Sequence, residues 1–412
     1  SRTVQHYGGL VNDGFWMSWS TNAKPGDHVA LARRYWSPSS AKQESIFDQL
    51  AYLSPQAFWY DLAHRNYKIA VLNCPELVTY TTMPNLTSIS SWMVHAPKSH
   101  LRTDPPELTH VLTRLSAATP GVAPSSDRWE KSDDQTGREL VDRIKLRQTL
   151  KTQVYGELLA HGDWDWFFCG FDGVHDAIHR LWHLKTKNEA GHTLIEEMYM
   201  HFDSCVGTLL EQCADVKVQM IAGLGAKQLS SINADMATLM HEMASAGPVE
   251  VSGEWFDLLL DTPSVVGIRL FVAGRDVGGV IDPEHLDQLM DYLESQFYAL
   301  KGVKTGSSVV ASVIRVRELY PNQRYSELLP DFEIVWGDFD RTEPYGSPVI
   351  STRLYEPDRT NILEYRSGDH QQSVHLFYND ACKTDFENLS ELSFEDINRC
   401  IIDSVDAEPA QH

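Results

Sequence analysis

Short apolar runs alternate along the chain with longer amphipathic segments. The apolar runs are bounded by turn residues, which predicts buried strands at residues 67–74, 164–171, 216–221 and 332–336. Helical periodicity is clearest at residues 138–159, 192–213, 230–244 and 283–300, the last opened by an Asp-Pro helix start. This alternation favours an α/β protein with a largely parallel sheet whose faces are covered by helices.

Two segments break the alternation. Residues 117–137 are rich in Pro, Ser, Asp and Gly, which predicts an exposed loop between two helical segments. Residues 267–280 carry several glycines after an expected strand, but their spacing differs from the dinucleotide-binding fingerprint and no helix opens directly from them. A nucleotide-cradling loop is therefore not expected there.

Composition narrows the class of protein. The 412 residues are 42% hydrophobic and 22% charged, as in ordinary globular proteins. The net charge of −22 disfavours nucleic acid and anionic membranes as partners, because both need a cationic surface. No apolar run approaches the length of a membrane span, the amino-terminal residues lack a signal-peptide pattern, and the six cysteines are scattered. We therefore expect a cytoplasmic protein with reduced thiols that acts on a small molecule.

Histidines carry the densest candidate chemistry. His175, His179 and His183 follow an expected strand at helical spacing, so neighbouring imidazoles can converge on one point. The His-x-x-x-His spacing suits a metal such as zinc, although a solvated or capping histidine cluster fits the pattern equally well. The candidate third ligand is His370, in a turn before the apolar run at 374–378, because ligands of open α/β sheets gather at strand ends far apart in sequence.

The amino-terminal segment 12–28 carries hydroxyl groups. Ser18, Ser20 and Thr21 could cap a helix or bind an anion. Hydroxyls this dense are more often structural than nucleophilic unless a base lies beside one of them.

These segments resemble the alkaline phosphatase superfamily, in particular its type I phosphodiesterase and nucleotide pyrophosphatase branch. Residues 16–28 look like the branch's Trp-Pro-Ser-Phe-x-Thr-Gly-x-x-Pro-x-x-His-Gly signature, and residues 172–183 look like its Glu-x-His-x-x-Gly-His-x-x-Trp-His segment. Later blocks at 203–207, 267–280 and 329–336 follow in the family's order, so the likeness runs from about residue 7 to about residue 378.

The resemblance implies a three-layer α/β sandwich with a mostly parallel central sheet and helices on both faces. It would form a single domain over residues 1–403, with a mostly helical decoration at about 97–159 and a tail at 404–412. The sequence begins where the family's first strand would already have ended, so that strand and its Asp ligand are expected to be missing from residues 1–403.

The family's active centre holds two metals around a Ser or Thr nucleophile. By resemblance, His175, His179 and His370 occupy the ligand positions of one metal. The other metal would use the first-strand Asp, the nucleophile, and a Ser-Asp-His-Gly turn, but residues 222–225 read Ala-Gly-Leu-Gly. Both ligands from that turn are therefore gone.

The family's nucleophile position also departs from the pattern. It is occupied by Asn12, followed by Asp13, and an amide cannot attack phosphorus as an alkoxide does. Two-metal phosphoryl transfer depends on metals that stabilise both the attacking and the leaving oxygen. We therefore expect conventional phosphodiester hydrolysis to be weak or absent.

Two hypotheses from different classes follow. The first is a divergent enzyme in which three histidines hold one divalent metal as Lewis acid or redox centre; zinc is the default, and iron, manganese or copper also suit imidazole. Its candidate catalytic residues are Asp13, Asn12 and Asp172, with Asp176 and Asp369 as further acids nearby. The second is a pseudoenzyme or binding protein that kept the fold. A phosphodiesterase or phosphohydrolase with a non-standard nucleophile is a variant of the enzyme hypothesis.

Overall fold

The structure is a computed structural model. It describes residues 2–5, 12–29, 34–37, 42–45, 56–75, 82–94, 100–119, 133–213, 216–223, 225–260, 263, 265–357, 366–371 and 373–407. The helices are α1 (Asn12–Thr21), α2 (Pro25–His28), α3 (Phe58–His64), α4 (Glu107–Ala118), α5 (Asp134–His161), α6 (Gly173–Leu181), α7 (Leu194–Leu210), α8 (Met236–Ser245), α9 (Leu286–Ala299), α10 (Val316–Leu319), α11 (Lys383–Phe386) and α12 (Phe394–Ala407). The strands are β1 (Arg2–Thr3), β2 (Arg34–Ser37), β3 (Lys42–Ser45), β4 (Ile69–Leu72), β5 (Leu86–Ser90), β6 (Arg102–Asp104), β7 (Trp166–Cys169), β8 (Gln219–Ala222), β9 (Gly225–Gln228), β10 (Phe256–Leu259), β11 (Val265–Leu270), β12 (Lys301–Gly302), β13 (Val310–Arg315), β14 (Phe332–Trp336), β15 (Tyr345–Gly346), β16 (Gly368–Gln371) and β17 (His375–Tyr378).

A sheet of order β6-β5-β4-β7 lies between two helical layers. Strand β4 is parallel to both β5 and β7, and β6 is antiparallel to β5. Because side chains alternate along a strand, Ile69 and Val71 pack into the core formed with α1, α3 and α12, whereas Ala70 and Leu72 pack with α4 and α5. Helices therefore cover both faces, and the expected α/β sandwich with a parallel-containing sheet is confirmed.

A second sheet, of order β10-β11-β14-β13, is antiparallel throughout. Its apolar face, with Ile268 and Ile334 fully buried, packs against α8 and α9. Among the described strands, parallel pairing is thus confined to β5, β4 and β7. The apolar runs predicted strands here correctly, but they do not encode strand direction.

The strands that reach the histidines form a pair of smaller ladders. Strand β8 pairs with β17, and β9, which follows almost directly, pairs with β16. In this register His370 on β16 lies opposite Ala226 on β9. Strand β16 in turn lies against α6, the helix that follows β7.

The four predicted strands and four predicted helices are all present with adjusted ends. The helix expected from residue 230 begins with a 3₁₀ turn at Asn233–Asp235, and α9 is likewise preceded by a 3₁₀ turn, Pro283–His285, where the Asp282 side chain accepts from the Glu284 N–H. Helix α12 continues to Ala407, so the expected polar tail after residue 403 begins inside a helix.

Several other expectations meet the structure only in part. Helices α4 and α5 fall within the predicted decoration, while residues 120–132 of the predicted loop and residues 408–412 of the tail lie outside the described residues. The six cysteines, all within the described part of the chain, form no disulfide. Among the helices that the structure describes, none combines the length and the hydropathy needed to cross a membrane.

Candidate metal centre

Helix α6 begins at the carboxyl end of β7, after a three-residue connection. Asp172 occupies its N-cap position, and Gly173 opens the helix. A Cβ atom at position 173 would lie 2.8 Å from the side chain of Gln148, so a glycine lets α6 start in close contact with α5. His175 and His179 then lie one turn apart on α6, on the same face.

The structure brings together His175, His179 and His370. The Nε2 atoms of His175 and His179 are 2.7 Å apart, and the His370 ring centroid lies 4.8 and 4.9 Å from those of His175 and His179. One nitrogen of each ring falls within 4.8 Å of the others. His179 is buried and its two neighbours are half-buried. Three imidazoles can therefore offer one nitrogen each to a common ion.

A backbone carbonyl sets the tautomer of His179. Its Nδ1 lies 3.0 Å from the Gly368 oxygen, and because a carbonyl only accepts, Nδ1 carries the hydrogen. In the neutral ring the lone pair is then on Nε2, the atom that faces His175. Metal-binding histidines commonly donate their other ring N–H to a carbonyl or carboxylate in this way. The donor set thus fits a metal ion.

Strand β16 is packed directly on α6. The Ser367 N–H donates to the His179 carbonyl at 2.8 Å, and a Cβ atom at position 368 would lie 2.6 Å from the Ile178 carbonyl oxygen. Asp369 is buried, with Oδ1 3.8 Å from His179 Nδ1. These close contacts fix His370 relative to the two histidines of α6.

Two carboxylates at the start of α6 form ion pairs with α5. Asp172 Oδ1 lies 2.6 Å from Lys151 Nζ, and Asp176 Oδ2 lies 2.7 Å from Arg147 Nη2. The Lys151 side chain is fully buried, and Arg147 and Asp176 are nearly so. The candidate catalytic residue Asp172 is therefore held by a cation, three residues before His175 in the chain.

The amino-terminal hydroxyls serve the packing of α1. Ser18 Oγ and His28 Nε2 lie 2.7 Å apart and both residues are fully buried; desolvation lowers the pKa of His28 to about 3. Ser20 and Thr21 donate to the Met17 carbonyl oxygen at 3.1 and 2.7 Å. A histidine thus lies beside Ser18, but both residues are fully buried, so these contacts fit the structural interpretation of the hydroxyls.

Helix α1 begins at Asn12. The side chains of Asn12 and Asp13 lie outside the part of the chain that the structure describes. A Cβ atom at Gly223, in the altered turn, would lie 3.5 Å from the Trp16 ring and 3.8 Å from the Phe15 ring; Leu224 lies outside the described residues. Across the described ranges, the three histidines are the one group of three or more potential ligands that converges.

Sequence reasoning missed Lys151 and Arg147. They lie four residues apart on α5, a helix predicted only from its periodicity, and both are buried. The available signal was the spacing of Asp172 and Asp176, also four residues apart, which matches that of the two cations.

Comparisons with solved structures identify the fold. The complex of phosphonoacetate hydrolase from Sinorhizobium meliloti 1021 with phosphonoacetate is similar with a TM-score of 0.57 and 14% identity, over 98% of this chain and 86% of that chain. Its complex with phosphonoformate gives 0.54 and 14%, over 97% and 85%. Wild type alkaline phosphatase PafA gives 0.49 and 12%, over 91% and 82%. No family model and no curated protein matches the sequence. At these identities the phosphonoacetate hydrolase similarity establishes the fold alone.

Proposed function

We propose that this protein is a divergent metal-dependent enzyme in which His175, His179 and His370 hold one divalent metal. The observation that carries the proposal is the His179 tautomer: its Nδ1–H is committed to the Gly368 carbonyl, so Nε2 offers a lone pair where the other two rings converge. Zinc is the default for neutral imidazoles, and iron, manganese or copper suit the same donors.

When bound, the metal would supply a Lewis acid for a small-molecule substrate, or a redox centre if it is iron or copper. The chain's own residues orient the ligands. The Gly368 carbonyl holds the His179 ring, and the buried carboxylate of Asp369 lies 3.8 Å from the same Nδ1. Asp172, at the N-cap of α6, is the described acid assigned to orientation or proton transfer. A cytoplasmic location goes with this proposal as an expectation from the scattered cysteines.

The proposed chemistry is not conventional phosphodiester hydrolysis. Asn12 takes the place of a nucleophile, and removal of a catalytic nucleophile costs several powers of ten in rate. Gly223 takes the place of a metal ligand and lies beside two aromatic rings. We expect little or no metal-dependent turnover of bis-(4-nitrophenyl) phosphate. Phosphonoacetate, the molecule bound in a similar structure, is the second probe, and robust turnover of either probe would favour a phosphohydrolase with a non-standard nucleophile.

Metal analysis of the purified protein by plasma mass spectrometry tests the proposal. The wild type should carry one divalent metal per chain, and His179→Ala should lose most of it. His161→Ala, which removes an exposed histidine from α5, is the control and should keep full occupancy. Full occupancy in His179→Ala would refute the assignment, and a wild type that takes up no metal on reconstitution would favour the binding-protein alternative.

Asn12 and Asp13 are proposed to act on the substrate rather than on the metal. Asp13 could serve as a base, whereas Asn12 can donate and accept hydrogen bonds but cannot form a covalent intermediate. Asp13→Asn should impair turnover of the true substrate with the metal content unchanged, and Asn12→Ala should weaken substrate binding. Unchanged kinetics in both variants would remove the start of α1 from the mechanism.

A further inference from the structure

We infer that Lys151 and Arg147 of α5 are positioning residues for the histidine cluster and set its affinity for a metal ion. This inference rests on the proposed metal centre. Neither cation touches a histidine in the described contacts; each acts through a carboxylate at the start of α6. The two ion pairs, Arg147–Asp176, which is buried, and Lys151–Asp172, in which the lysine is buried and the carboxylate partly exposed, therefore form a clamp between α5 and α6.

The clamp is placed on both sides of His175. Asp172 precedes it by three residues, and Asp176 follows it directly and precedes His179 by three. The clamp thus holds the same helical turn that presents the two imidazoles. Between the cations along α5, Gln148 packs against Gly173, so that α6 starts on three successive contacts with α5.

Such a clamp fixes both the rotation and the axial position of α6. A shift by one residue turns a helix by about 100° and moves it by about 1.5 Å, whereas metal–ligand distances are tolerated within about 0.2 Å. Two charged hydrogen bonds at 2.6 and 2.7 Å, four residues apart, define one register of α6 on α5. A single apolar contact can slide, but this pair of contacts cannot.

Apolar packing already stabilises the same helix contact. Leu140 and Ile144 of α5 are buried against Ala177 and Leu181 of α6. Because buried ion pairs rarely stabilise more than apolar residues of similar volume, stability alone does not account for two of them here. The ion pairs differ from the apolar contacts because they fix the orientation of α6, which a metal site needs and a packed core does not.

The test separates affinity from stability. In the double variant Lys151→Met, Asp172→Asn, both charges are removed together, so that no buried charge is left unpaired. Cobalt(II) titration of the metal-free full chain, followed by absorption spectroscopy, gives both affinity and coordination geometry. We expect cobalt binding 10- to 100-fold weaker than wild type, with an altered ligand-field spectrum and a urea midpoint near that of wild type. Arg147→Met, Asp176→Asn should behave alike, and it serves if the first variant does not fold.

Lys145→Met is the matched control on the same helix. Lys145 pairs with Glu197 of α7 at 3.1 Å, and Glu197 keeps Arg138 as a second partner. This variant should bind cobalt as wild type does. If wild type binds cobalt and either clamp variant binds it equally well with the same spectrum, the clamp inference is wrong while the metal centre stands. If wild type binds no cobalt, the proposed metal centre fails and the inference fails with it.

Discussion

Acid should destabilise this protein through one buried histidine, His28. Its ring is fully buried, with Nε2 2.7 Å from Ser18 Oγ, and desolvation lowers its pKa from 6.5 to about 3. In the unfolded chain the same ring takes up a proton near pH 6.5. Between pH 6.5 and about 3 the unfolded state therefore binds more protons than the folded state, so the free energy of unfolding falls as the pH falls.

The magnitude follows from the two pKa values. Between pH 7 and pH 5 the unfolded ring passes from mostly neutral to almost fully protonated while the folded ring stays neutral, which costs about 2 kcal/mol of stability. Down to pH 3 the same linkage reaches about 4 kcal/mol, at about 1.4 kcal/mol per pH unit over most of this range. Either value is a large share of a typical folding free energy of about 5–15 kcal/mol.

Urea unfolding followed by tryptophan fluorescence at pH 5, 6 and 7 measures the effect. His28→Gln removes the titrating ring, so its stability should fall by about 2 kcal/mol less than that of wild type between pH 7 and pH 5. At pH 7 the variant should be the less stable of the two, because the contact with Ser18 is lost. His161→Ala, at an exposed site, should keep the wild-type pH dependence. Parallel curves for wild type and His28→Gln would refute the reasoning.

Three further predictions concern packing around the sheets. Gly368→Ala should displace β16, because its Cβ would lie 2.6 Å from the Ile178 carbonyl oxygen. We expect cobalt binding at least tenfold weaker than wild type by titration. Unchanged binding would contradict the contact. Burial raises the pKa of Glu333 well above its usual range, so the wild type loses stability as the pH rises above about 4.5. At pH 8, Glu333→Gln should therefore unfold at a higher urea concentration than wild type. The difference between the two urea midpoints should shrink toward pH 5. Asn73→Ala should lower the free energy of unfolding in urea by about 2–4 kcal/mol, since the buried Asn73 amide donates to the Trp92 carbonyl and to the Tyr155 hydroxyl. A loss below about 1 kcal/mol would show that water replaces these bonds.

The local sequence pattern predicted two of the three histidines in the cluster. His175 and His179 closely follow an apolar run, and the link from that strand to the next helix spans only three residues. Their spacing and position could therefore be predicted from the sequence. The position of His370 could not be predicted from its neighbours in the sequence. Its position depends on the pairing of β9 with β16, which joins segments about 140 residues apart, so only the general rule that ligands gather at strand ends and the family resemblance pointed to it.

The burial of charged residues in the middle of α5 is a second feature that the sequence pattern does not predict. A Lys and an Arg four residues apart in a helix ordinarily indicate a solvated face. Lys151 and Arg147 are buried because Asp172 and Asp176 face them from another helix, and that pairing exists only in the folded chain. Strand direction in the second sheet was out of reach for a similar reason, since an apolar run such as β14 reads the same in either orientation.

The surroundings of the three histidines differ from those of the turn that we propose has lost its metal ligands, and this difference bears on which hypothesis to favour. In that turn, Gly223 lies beside the rings of Trp16 and Phe15, so its neighbourhood is aromatic. Around the three histidines, by contrast, specific polar contacts persist: the Gly368 carbonyl on His179, and a buried lysine and arginine on the two acids of α6. Buried charges that have lost their purpose are readily replaced by apolar residues at little cost in stability. Their presence around the three histidines favours a site maintained for a single ion over a fold that has merely lost its catalyst.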